Sequence, residues 1–93
     1  MDRLELATMR GEEASQLIAN PLFAQAFADT RAAILATWAA LPTSDTENAY
    51  DLHRMVKCLD KVRKCLDEHI TTGKLARIEV EGREKRRLFG KAF

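Results

Sequence analysis

The chain has 93 residues and a formal net charge of +1, with 46% apolar and 31% charged side chains. That length supports one small domain with a modest core and excludes a second domain. The composition excludes an intrinsically disordered chain, and two cysteines exclude a disulfide-stapled scaffold. No apolar run reaches the length of a membrane span, and the opening MDRLELATMRGEE is charged where a signal peptide is apolar. A cytosolic location, or one inside an assembly, with no membrane partner, is the expectation.

From Asp2 to Ala19, Leu4, Ala7, Gly11, Ala14 and Ile18 recur in steps of three and four, one narrow, flat face of a helix. Small residues there let another backbone approach closely, while Gly11 costs about 1 kcal/mol of helix propensity. Asn20-Pro21 punctuates the pattern, because Asn is a favoured N-cap and Pro a favoured first helical residue. A second helix is predicted over residues 21–41. Phe23, Phe27, Ile34 and Trp38 lie on one side and are read as core; Ala24, Ala28, Ala32, Leu35 and Ala39 lie on the other. The stretch holds only Asp29 and Arg31 as charges, and a helix apolar nearly all round expects cover all round. The alanine side is expected to accept the small face of the first helix or of a neighbouring subunit, which would make the second helix a middle layer.

Leu41-Pro42-Thr43-Ser44 is short enough to join antiparallel neighbours. Ser44-Asp45-Thr46-Glu47 fits a capping box, and a third helix is predicted over residues 45–72 with Gly73 as its C-terminal cap. Its core stripe runs Ala49, Leu52, Met55, Val56, Leu59, Val62, Leu66 and Ile70, and the end near Ile70 is expected to overhang the second helix. Arg63 falls inside that arc as an exception. Beyond Gly73 the alternation LARIEVEG has the period of a strand, and REKRR follows it. Residues 1–73 carry eight basic and eleven acidic side chains, residues 74–93 seven and three, so the tail is the cationic end. The expected fold class is all-α: an antiparallel helical hairpin with an N-terminal helix, forming one helical domain over residues 1–73, followed by a short extended or mobile basic tail over residues 74–93.

Two surfaces stand out as candidates. One is apolar: Ala24, Ala28, Ala32, Leu35 and Ala39 on the second helix, Ile70 at the overhang, and Ile78, Val80, Leu88 and Phe89 in the tail, where an unpaired strand would suit addition to a neighbour's sheet. The other is basic: Arg54, Lys57, Lys61 and Lys64 opposite the core stripe, with Arg83, Lys85, Arg86 and Arg87 in the tail, a set able to meet phosphates. No nucleic-acid reading motif accompanies it. Cys58, Cys65 and His69 share one edge of the third helix, but without a second ligand pair they read as reduced, buried core-edge residues, so no metal and no cofactor are expected. His53, Ser15 and Ser44 lack triad partners and the four glycines form no phosphate loop, so the chain is expected not to be an enzyme.

At RGEEASQLIANPLFAQAF (Arg10 to Phe27), the link from Thr37 to Glu47, and LDKVRKCLDEHITTGKLA (Leu59 to Ala76), the chain resembles small helical-hairpin proteins encoded among tailed-bacteriophage and prophage head genes. The resemblance implies a virion or assembly component located in the virion or the host cytoplasm, forming homo-oligomers or contacting other phage structural proteins. It carries over no catalytic residue and does not reach Arg77 and beyond. The alternative is a small DNA-binding packaging or regulatory subunit using the basic helix face and tail.

Overall fold

The computed structural model describes residues 1–92. The fold is all-α: α1 spans Arg3–Ala19, α2 Pro21–Ala40 and α3 Thr46–Ala92. Each start is fixed by a side chain that accepts otherwise unpaired backbone N–H groups. Asp2 Oδ1 accepts from Glu5 N at 2.9 Å. Asn20 Oδ1 accepts from Leu22 N at 2.9 Å and Phe23 N at 3.1 Å, with Pro21 as the first helical residue. Asp45 Oδ1 accepts from Asn48 N at 3.2 Å, and Asn48 Nδ2 returns a bond to Asp45 Oδ2 at 2.8 Å. The cap of α3 is therefore Asp45, one residue after the expected Ser44, because the turn that closes Asp45 N on Pro42 O carries the chain one step further.

The largest correction lies after Gly73. The predicted strand over the LARIEVEG stretch is helix, and α3 runs on without a break to Ala92. Gly73 is no cap, and it has no positive φ. A lone strand has no ladder partner, whereas the same residues in helical register place Gly73, Ala76 and Val80 on one face for α1 to cover. The β-addition mode for Ile78, Val80, Leu88 and Phe89 falls with the strand.

The chain divides into two compact units, one of Met1–Leu17 with the part of α3 from Leu66 onward, the other Ile18–Cys65. In the first, α1 runs antiparallel to α3: Asp2 pairs with Arg83 at 2.7 Å, Glu12 pairs with Arg77 nearer the middle, and Leu17 shares a shallow cleft with Leu66. The two helices meet at glycines. A Cβ placed on Gly11 would stand 2.7 Å from Gly73 Cα and 2.8 Å from His69 O; one on Gly73 would stand 2.7 Å from Gly11 Cα and 3.0 Å from Ala7 O. Ala14 and Ala76, 6% and 4% exposed, complete the contact. The small face of α1 thus packs on the second half of α3, because only a glycine opposite a glycine permits so close an approach.

In the second unit α2 and the first half of α3 form the expected antiparallel hairpin. Trp38 and Leu35 face His53, Leu52 and Val56, while Arg31 Nε donates to Asp60 Oδ1 at 3.2 Å nearer the far end. Ile34, at 9% exposure, is the buried hydrophobic of this unit. Phe23 and Phe27 are half-buried and stack on each other, ring centroids 5.9 Å apart.

Candidate interaction surface

α2 is built from residues that favour helix, and its few polar side chains are tied up within the chain. Its two threonines turn their hydroxyls back, Thr30 onto Ala26 O at 2.8 Å and Thr37 onto Ala33 O at 2.9 Å. Gln25 and Asp29 are bonded to each other at 2.7 Å, and Arg31 is held by Asp60. What remains is apolar: Ala24, Ala28, Ala32, Leu35 and Ala39 are all exposed. The sequence-derived surface on α2 is therefore intact and uncovered within its unit.

Side chains that the sequence assigns to the core extend this surface. Trp38 is 53% exposed, because two helices cover a helix on one side only, and the indole sits at the rim of the groove formed with Leu52, His53 and Val56. On α3, Met55 and Val62 are 50% and 52% exposed, and with Ile34, Cys58 and Leu59 they form a second open apolar strip. Cys58, which lines that strip, and Cys65 are exposed free thiols rather than buried ones. No group of three or more His, Cys, Asp or Glu side chains among the described residues is arranged to hold a metal ion.

In the first unit Ile70 is half-buried against α1, in a cleft with Thr8 and Ser15, so the expected overhang at that point is taken up by α1. Val80 is half-buried as well. Ile78, Leu88 and Phe89 are exposed, and so is Leu75, at 64%, which sequence reasoning passed over as part of a strand.

The basic candidates divide between the two units. Arg54 stacks over the Tyr50 ring, 4.5 Å from its centroid, and Lys57, Lys61 and Lys64 are exposed and form no ion pair among the described residues. Arg63 is exposed but engaged. In the tail Arg83 is bound to Asp2 and Arg86 to Glu79 at 3.4 Å, while Lys85 and Arg87 are exposed. The Glu5 backbone N–H, and after it the Arg83 guanidinium, hold the Asp2 carboxyl below its ordinary value, and the bond that Arg83 donates to Asp2 raises the guanidinium. Half of the tail's candidate phosphate contacts are thereby committed to intrachain carboxylates.

No protein-family model, curated protein or solved structure matches the chain. The geometry therefore carries the functional argument. No described helix is long and apolar enough to cross a membrane.

Proposed function

We propose that the chain is a non-enzymatic helical interaction module that oligomerises, and docks on a larger assembly, through the outer face of α2 and the neighbouring strip of α3. The observation that carries this reading is a core reduced to Ala14, Ile34 and Ala76 beside exposed Leu35, Trp38, Met55 and Val62. These side chains are already about half covered, so burying the rest of each is worth about 1 kcal/mol, and an exposed apolar surface of this kind marks an interface. The resemblance to phage head-gene products suggests the assembly: the head or connector of a tailed phage, with other phage structural proteins as partners. The test is the double variant Ala28→Glu/Leu35→Glu. Both sites are exposed, so the variant keeps its helicity by circular dichroism, and its mass in solution falls below that of the unaltered protein. An unchanged mass, together with unchanged capture by purified head components, overturns the reading.

A second reading, a small DNA-binding subunit, is favoured by one observation: Lys57, Lys61 and Lys64 are exposed, close on one side of α3, and without ion pairs among the described residues. Three such contacts predict that raising salt from about 50 to 200 mM weakens duplex binding about 40-fold. Replacement of all three by Glu then abolishes it. Binding that is absent or insensitive to salt removes this reading.

A further inference from the structure

The second half of α3 has two sides. One, centred on Gly73 and Ala76, is covered by α1. On the reverse side Leu75, Ile78, Gly82, Lys85 and Phe89 follow one another in steps of three, four, three and four. That is the spacing of a coiled-coil seam. Leu75, Ile78 and Phe89 are 64%, 65% and 64% exposed. No helix of the same unit lies on them, and α1 begins where Asp2 meets Arg83, so α3 runs past it to Ala92.

The charges beside the seam identify what covers it. Lys74 and Glu81 flank it on one shoulder, Glu79 and Arg86 on the other. When two such helices lie parallel and in register, a residue on the first shoulder faces the residue five positions later on the second shoulder of its partner. Lys74 then meets Glu79 of the second copy, and Glu81 meets Arg86 of the second copy, in exchange for the exposed Arg86–Glu79 contact at 3.4 Å within one chain, which is worth little in water. Both pairs are of opposite sign, and the two-fold axis repeats them, giving four attractive pairs and no repulsive one. Gly82 lets the backbones approach at the middle of the seam, and Lys85 is a single polar seam position of the kind that fixes register at some cost in stability.

We propose that the face of α3 from Lys74 to Phe89 pairs in parallel with the same face of a second copy of this chain. This contact rests on the interaction-module reading and is separate from the α2 surface, so the protein has two self-association faces.

The experiment is sedimentation equilibrium on the full chain over a range of concentrations. Ile78→Glu weakens the pairing at least about 30-fold, the effect of removing an interface hot spot; Phe89→Ala, a gentler change, weakens it in the same direction. Glu81→Lys weakens it, and Glu81→Lys/Arg86→Glu restores it in part, which loss of helix alone does not do. Orientation is read by Leu75→Cys in a Cys58→Ser/Cys65→Ser background: parallel pairing brings the two introduced thiols together and gives a disulfide-linked dimer on oxidation. Ala28→Glu/Leu35→Glu leaves a dimer held by this seam. The proposal is overturned by an unchanged mass in Ile78→Glu and Phe89→Ala, or by a dimer that does not cross-link through position 75. If those variants change nothing while the α2 variant lowers the mass, the seam falls and the interaction-module reading stands. If the α2 variant changes neither mass nor docking while Ile78→Glu dissociates a dimer, the α2 reading falls and the seam stands.

Discussion

Replacing Gly73 by Ala destabilises the unit formed by α1 and the second half of α3 by about 2 kcal/mol, although Ala is the better helix former. The added methyl would stand 2.7 Å from Gly11 Cα and 3.0 Å from Ala7 O, both backbone atoms. Neither can rotate away as a side chain would, so the two helices must separate and Ala14 and Ala76 lose part of their contact. Overpacking of this kind costs about 1–3 kcal/mol, and more when backbone must move; helix propensity returns about 1 kcal/mol. Gly11→Ala meets the reciprocal obstacle, Gly73 Cα at 2.7 Å and His69 O at 2.8 Å. Gly90 is the control, since nothing lies within 4 Å of a Cβ placed there. Gly90→Ala is neutral or stabilising, by at most about 1 kcal/mol. Amide hydrogen exchange in α1 reads the difference directly: protection falls in Gly73→Ala and Gly11→Ala and is kept in Gly90→Ala.

Ile34→Ala loosens the hairpin unit by about 2 kcal/mol, at the low end for truncation of a buried isoleucine. Ile34 is 9% exposed and touches the strip of Met55, Leu59 and Val62. Those neighbours lie on an open edge and can settle into the space, which is why the loss does not reach the upper part of the range. Leu22→Ala, at a residue 78% exposed, changes the urea midpoint little. The pair of variants separates a side chain that holds the hairpin from one that only adds to its apolar surface.

The helical fold and the hairpin were legible because their signals are local. Asn20-Pro21 ends one helix and opens the next with two backbone donors caught by one side chain. The Ser44/Asp45 ambiguity is a matter of neighbouring residues with the same capping chemistry, and the hydrogen bond that Asn48 N donates to Asp45 Oδ1 decides it. Gly73 was not legible. A glycine near the end of a periodic stretch serves equally as a C-terminal cap or as the point where a second helix touches, and nothing within a few residues distinguishes the two. The small face Ala7, Gly11 and Ala14 is the long-range clue, and by sequence alone it fits the alanines of α2, in the same or a neighbouring subunit, as well as it fits Gly73. The apolar/charged alternation after Gly73 misleads for a related reason: Ala76, Ile78 and Val80 fit period two locally, while α1 covers Gly73, Ala76 and Val80 and leaves Leu75 and Ile78 outside.

The candidate surface was readable in its α2 part and underestimated elsewhere. The lack of charges on α2 announces a helix needing cover, but only the packing shows that cover stops at one side, leaving Trp38 at 53% exposure. Cys58 and Cys65 point the same way. Residue type assigns thiols to the interior, and the hairpin has no third layer to enclose them.

The central claim is that the apolar surface of this chain exists to meet other chains. The most direct measurement is the mass of the purified protein in solution by sedimentation equilibrium from low to high micromolar concentration. The expected mass lies well above 10.5 kDa, rises with concentration and falls in Ala28→Glu/Leu35→Glu and in Ile78→Glu. A folded protein that stays monomeric at every concentration, with unchanged behaviour in both variants, would contradict it.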